Sequence, residues 1–213
     1  MYLPKLHEER DPGVLRALIR AHPLGTWATQ GDGGIIMNHA PFILDAARGP
    51  YGTLMCHVSR ANTVWKSFSR TVDSVIAFHG AEAYISPSWY ASKALHGKVV
   101  PTWNYAVVHA HGIPEVLADE SRLLEHLAQL TDAHEAGRVA PWHVGDAPAD
   151  FIRHMSQQIV GIEIPISRIV GKWKVSQNRS PEDRRGVVAG LNGNGDARSG
   201  EMADLVDQAM RSD

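Results

Sequence analysis

From Gly25 to Val170 the chain is a series of short β-rich runs, separated by glycine- and proline-bearing turns and with helical stretches set between them. Runs of this kind pair most readily as antiparallel neighbours. The clearest turn is Gly31-Asp32-Gly33-Gly34, a hairpin signal between strands read at Gly25–Gln30 and Ile35–Leu44. Further strands are expected at Gly52–Val58, Ser74–Phe78, Ala83–Ser86, Thr102–His111 and Ile159–Val170, the last interrupted by Pro165. The pattern predicts a mainly β, α+β fold of antiparallel strands. It argues against a doubly wound parallel sheet and against a helical bundle.

The helices announce themselves by their caps. Asp11-Pro12 starts one whose apolar face is Val14, Leu15, Leu18 and Ile19, and His22-Pro23 stops it. A short helix is expected over Asn62–Phe68 with Asn62 as N-cap. Asp119 caps a longer one to about His134, with Leu123, Leu124, Leu127 and Leu130 along one side. Asp146-Ala147-Pro148 starts another, carrying Phe151, Ile152, Met155 and Ile159, and Ser180-Pro181-Glu182-Asp183 is a capping box. Gly- and Asn-rich residues 192–200 read as a linker, followed by Met202, Leu205, Val206, Ala209 and Met210 at helical spacing. The expected division is therefore a domain over 1–191, then 192–213 as linker and amphipathic helix or disordered tail.

Chemistry concentrates in Glu82–Gly112, EAYISPSWYASKALHGKVVPTWNYAVVHAHG. Aromatic faces beside hydroxyls, an amide and ammonium groups suit a flat, heteroaromatic, anionic ligand. A strand-rich core with Ser/Pro turns accounts for the same composition. Two other places could hold an anion or a ring. Ser59-Arg60-Ala61-Asn62 joins a strand end to a helix start, so a guanidinium, a hydroxyl and free backbone N–H groups converge; an exposed arginine beside an ordinary N-cap fits as well. Gly171-Lys172-Trp173-Lys174 puts two ammonium groups on one side of an extended segment and an indole on the other, which equally describes a solvated strand end with Trp173 in the core.

YISPSWY (Tyr84 to Tyr90), VPTWNYAVVHAHG (Val100 to Gly112) and GKWKVSQNR (Gly171 to Arg179) resemble the signature blocks of the PaiB-type, FMN-binding negative transcriptional regulator family. HPLGTWAT (His22 to Thr29), NHAPF (Asn38 to Phe42) and HVSRAN (His57 to Asn62) fit the same pattern, and the resemblance runs from Met1 to about Leu191. It implies an FMN-binding split β-barrel with peripheral helices, related to flavin reductases and pyridoxamine-phosphate oxidases, and a homodimer with the flavin near the interface. The cofactor-binding residues it implies are His57, Ser59, Arg60 and Asn62, with Arg60 at the phosphate. The central span adds Ser88, Trp89, Lys93, Thr102, Trp103 and Asn104, and the later block adds Lys172, Lys174 and Gln177.

Bulk properties set limits. A formal charge of -2 over 213 residues gives no global basic field for nucleic acid, and no helical segment is followed by a basic recognition helix. DNA remains a partner only through a basic patch assembled on a dimer. Cys56 is the only cysteine, so no intrachain disulfide exists and a reducing cytoplasm is the natural setting. MYLPKLHEER lacks the layout of a signal peptide, and no apolar run approaches the roughly 20 residues of a membrane span. The 12 histidines raise the question of a metal, with His109 and His111 two apart and His143 and His154 as further candidates. No zinc-binding spacing is present, and none is expected. Three functions fit, in this order: an FMN-binding regulator of the PaiB type, a flavin-dependent oxidoreductase of the split-barrel class, and a haem-binding split barrel using one of the histidines.

Overall fold

The computed structural model describes residues 1–211. Its strands are β1 Glu8–Glu9, β2 Leu24–Gly31, β3 Gly34–Pro41, β4 Ile43–Asp45, β5 Thr53–Ser59, β6 Ser74–Ile85, β7 Thr102–Gly112, β8 Glu115–Val116, β9 Ile159–Pro165 and β10 Arg168–Lys174. Its helices are α1 Pro12–Ala21, α2 Val64–Ser67, α3 Ser92–His96, α4 Glu120–Glu135, α5 Ala149–Ser156, α6 Pro181–Gly193 and α7 Ala197–Arg211. The chain divides into two compact units. The first comprises Met1–Leu18, His79–Val108 and the described residues from Val170 on; the second comprises Ile19–Phe78 and His109–Ile169.

In the second unit, β2 and β3 pair without a slip from Leu24↔Pro41 to Gly31↔Gly34, and β6 continues the ladder on the other side of β2. The loop is only Asp32-Gly33, and Gly34 takes a positive φ of 122°. Alternation along β2 buries Trp27 and Thr29, and the Trp27 ring tilts against Phe68 at 6.2 Å. A separate sheet, β4-β5-β9-β8, is centred on β5 and β9, paired from Thr53↔Pro165 to Ser59↔Ile159. The nearly unbroken apolar run Leu54, Met55, Cys56 and Val58 is what a strand covered on both faces requires. The strands thus form two antiparallel sheets rather than one closed barrel.

In the first unit, β10 lies between β1 and β7, and β6 follows β7. Leu15 of α1 occupies the space where a side chain at Gly171 would stand, which brings the helix close onto β10. The core gathers Ala83, Ile85 and Tyr90 with Val175 just after β10, Val187 and Leu191 of α6, and Met202 and Val206 of α7. Ser180 caps α6 by accepting from Asp183 N at 3.2 Å, with Pro181 in the first turn.

Several elements differ from the sequence reading. β6 is one strand of 12 residues, not two, and burial changes phase within it without ending the strand. Ser74, Ile76 and Phe78 face inward, then Ala81, Ala83 and Ile85. Residues 192–200 are mostly helical. α6 runs to Gly193, Gly195 turns with φ 73°, and Asp196 accepts from Ser199 N at 2.9 Å to start α7. Ile159 opens β9 instead of continuing α5, and α2 is confined to Val64–Ser67 with Thr63 as its N-cap.

Trp89 is held by two glycines. A β-carbon at Gly186 would strike the Trp89 carbonyl, and one at Gly190 would enter the indole ring itself. Gly190→Ala is therefore expected to cost about 1–3 kcal/mol, the usual penalty for overpacking. Thermal denaturation measures it, and an unchanged midpoint would contradict this packing.

Candidate functional site

The expected site residues fall in both units. Thr102, Trp103, Asn104, Lys172, Lys174 and Gln177 lie on β7, β10 and the turn after β10 in the first unit. The Lys174 ammonium donates to the Thr102 hydroxyl and, at 2.7 Å, to the Trp103 carbonyl. Lys172 is buried. Its Nζ donates to the Tyr2 carbonyl at 3.2 Å and stands 5.2 Å from the Tyr105 ring centre and 5.7 Å from that of Tyr2. Gln177 bridges the segment, donating to the Trp173 carbonyl at 2.6 Å, accepting from Val175 N and meeting His7 Nδ1 at 3.2 Å. The indole of Trp173 packs against the first unit's core, opposite the ammonium groups as the alternation predicts.

Charge in this cluster is one-sided. Among the described residues no carboxylate lies within ion-pair distance of Lys172 or Lys174. Burial lowers the Lys174 pKa, and the Lys172 and Arg179 charges lower it further, outweighing the opposing effect of Tyr105. Burial likewise keeps His7 below its ordinary value, aided by the two lysines. Beside the cations, the buried Asn104 donates its Nδ2 to Ser176 Oγ at 2.9 Å, while its Oδ1 has no partner. Ser176 holds φ 65°, a left-handed conformation rare for a residue with a side chain.

An aromatic cleft of about 520 Å3 belongs to the same unit. Trp103, 48% exposed, meets Tyr84 edge to face at 6.3 Å and donates its indole N–H to Glu82 at 3.2 Å. Trp89 forms another wall, and Arg198 of α7 bonds Glu82 at 3.2 Å. Ser88 is exposed and shares a hydroxyl contact with Ser86 at 2.6 Å. Lys93 is exposed on α3, whose Ser92 is anchored through N and Oγ to the Asp183 carboxylate at 2.8 and 2.7 Å.

The remaining expected residues are in the second unit. Arg60 donates Nε to the Gln157 carbonyl at 2.6 Å and Nη2 to that of Ile159 at 2.9 Å. The Ser59 hydroxyl accepts from Ala61 N at 3.3 Å. Asn62 accepts from Val64 N at 3.0 Å and donates to Asn38 Oδ1 at 2.7 Å. His57 Nδ1 faces Nε2 of the fully buried His126 at 3.2 Å. Burial lowers both imidazoles, and the His57 charge adds to the effect on His126, which falls to about 4. Among the described residues no group of three or more His, Cys, Asp or Glu side chains could hold a metal ion. No helix there is long and apolar enough to cross a membrane.

Sequence reasoning missed Tyr2, His7, Tyr105 and Ser176. Tyr105 sits inside a block that was already singled out, two residues from Trp103 on an alternating strand. Tyr2 and His7 join the cluster from the other end of the chain, which no local pattern signals.

The family model described as "Putative FMN-binding domain" matches residues 1–168. Protease synthase and sporulation protein PAI 2 of Bacillus subtilis is 28% identical over 211 residues, covering 99% of each chain. An uncharacterized protein of Emericella nidulans is 30% identical over 241 residues, covering 97% of this chain and 96% of its own. Among solved structures, the FAD and haem binding protein of Mycobacterium smegmatis superposes with a TM-score of 0.58 at 16% identity, over 79% of this chain and 73% of that one. The flavocytochrome Anf3 of Azotobacter vinelandii gives 0.55 at 17% identity, over 84% and 74%. At such identities the structural likeness concerns the fold, an α+β split-barrel architecture.

Proposed function

The chain belongs to this FMN-binding domain family, in its PaiB-type branch, and from that premise we propose that it binds FMN and acts as a homodimer in negative control of transcription in the cytoplasm. The observation that carries the flavin reading is the uncompensated pair of ammonium groups on β10. Two cations that share no carboxylate raise each other's free energy, and a phosphate relieves both. Thr102 adds a hydroxyl and Asn104 an acceptor still without a partner, while Trp103 and Tyr84 offer flat apolar surface in the aromatic cleft of the same unit. These residues suit a phosphorylated, ring-bearing cofactor. Lys172 and Lys174 would hold its phosphate, with Thr102, Asn104 and Gln177 fixing the strand ends around it. When bound, the isoalloxazine supplies redox capacity, while the protein supplies position and polarity.

FMN titration, followed by fluorescence, tests this reading against riboflavin, which lacks the phosphate. Tighter binding of FMN, with the difference shrinking as salt is raised, is the expected result. Equal affinity for the two would remove the lysines from the phosphate. Arg60, expected at the phosphate from the resemblance, enters the same titration. It is the competing placement of the phosphate: if the group sits at the Ser59–Asn62 turn instead of at the lysines, Arg60→Ala, and not the lysine variants, weakens FMN binding by about ten- to a hundredfold. Because Arg60 also ties two backbone carbonyls, thermal denaturation of the flavin-free variant separates the cost to the fold. Unchanged FMN affinity in a folded variant takes Arg60 out of the site.

The homodimer reading draws support from the outer surface of β2 and β3. Leu24, Ile35 and Met37 are 61%, 75% and 62% exposed, and the outward positions of these strands between Leu24 and Pro41 carry no Asp, Glu, Lys or Arg. A two-fold partner meets itself at such a face without like-charge repulsion. Sedimentation at micromolar concentration should show a dimer, and Met37→Glu should shift it to monomer. A wild-type monomer at that concentration would contradict the assembly.

A further inference from the structure

Arg122, Glu125, His126 and Gln129 recur along α4 at i, i+3, i+4 and i+7, the spacing of one helix face. A helix face turned toward a sheet is ordinarily apolar. Here all four side chains line a cleft of about 390 Å3 that also carries Asp45 and Arg48, all within the second unit.

Both signs of charge line this cleft, Arg48 and Arg122 together with Asp45 and Glu125. Arg48 and Arg122 both bond the Glu163 carboxylate, at 2.8 and 2.6 Å, so two guanidinium groups share one anion and keep N–H donors to spare. Burial acts to raise the Glu163 pKa, but the two arginines hold it below its ordinary value, so the carboxylate stays ionised. Asp45 and Glu125 form no ion pair among the described residues. The cleft also contains an unspent polar atom. His126 is fully buried, its Nε2 is engaged by His57, and its Nδ1 has no partner.

We propose that this cleft binds a small amphoteric molecule carrying both a carboxylate and an ammonium group, of the class of free amino acids. The carboxylate is received by the spare donors of Arg48 and Arg122, and the ammonium group by Asp45 and Glu125. A simple carboxylic acid would leave Asp45 and Glu125 unanswered. A simple amine would leave the two guanidinium groups unanswered. The volume lies near the lower end of the roughly 300–1,000 Å3 typical of small-molecule sites, which suits a ligand of this size. In a protein of regulatory type, such a site would serve an effector. The inference does not rest on the flavin reading, because none of these residues belongs to the β7–β10 cluster.

The test is thermal denaturation of the full chain in the presence of each common L-amino acid, followed by calorimetric titration of the strongest responder. At least one amino acid should raise the midpoint. Its deaminated acid and its decarboxylated amine should each bind at least about tenfold more weakly, the loss expected for one charge-assisted contact. Asp45→Asn combined with Glu125→Gln should weaken the amino acid by about tenfold or more while leaving FMN titration unchanged. The Asp45→Asn change keeps a side-chain oxygen to accept from Ala47 N, so the local turn survives it. No response to any amino acid would overturn the proposal. So would equal binding of the deaminated acid, or undiminished binding in the double variant.

Discussion

Lys174→Met is expected to lower FMN affinity by about ten- to a hundredfold, with Lys172→Met of similar size. Methionine keeps most of each apolar stem, so the change is mainly one of charge. The two effects should not add, because the lysines are neighbours on β10 and each alters the electrostatic environment of the other. Removing one relieves part of the repulsion but also removes its hydrogen bonds to Thr102 and Trp103 or to Tyr2, so thermal denaturation of the flavin-free variants separates the cost to the fold from the loss of affinity. Riboflavin affinity should hardly move, and the salt dependence of FMN binding should fall. Fluorescence titrations of the single variants, in low and moderate salt, read all of these at once. Losing riboflavin and FMN affinity in parallel would place the lysines at the ring rather than at the phosphate.

A second large effect is expected in acid. Burial and the neighbouring His57 hold His126 neutral down to about pH 4. At pH above about 6.5 the ring is neutral in folded and unfolded chains alike, and its contribution to stability is complete. As pH falls below that value the unfolded chain takes up the proton and the folded chain does not, so stability drains away until the folded ring titrates near 4. The loss amounts to roughly 3 kcal/mol, a sizeable part of the 5–15 kcal/mol that ordinary domains possess. His57, shifted the same way, adds to it. The pH window identifies the cause. The shifted carboxylates, Glu163 among them, lose their contribution only as pH falls through the carboxylate range, below the start of the histidine window. Denaturant unfolding from pH 7 to 5 should therefore show a marked decline, and His126→Leu should flatten it. A stability curve flat over that interval would contradict a buried neutral histidine pair.

Much of this architecture was legible because local chemistry determined it. The Gly31–Gly34 turn signalled the β2–β3 hairpin, although the second strand, read to Leu44, ends at Pro41 and Ile43–Asp45 pairs in the other sheet. Asp119 fixed the start of α4, where its side chain accepts from Ser121 N at 2.8 Å. Alternation placed Lys172 and Lys174 on the side opposite Trp173. The misreadings involve long-range or competing effects. Composition made residues 192–200 a linker, but capping by Asp196 and burial of Met202 and Val206 favour helices. The change of phase in β6 looked like a strand end because a single inward period was assumed. Leucines defined the apolar stripe of α4, which hid the polar stripe beside it. Tyr2 reaches Lys172, and His7 reaches Gln177, across 170 residues of sequence, a pairing that only the fold reveals.

The most direct test of the flavin assignment is the absorption spectrum of the purified protein after incubation with FMN and removal of the unbound fraction, with the released chromophore identified by mass. Flavin bands at about one equivalent per chain, with FMN as the chromophore, are the predicted result. A protein that retains no flavin would contradict the assignment, as would a Soret band from haem in its place.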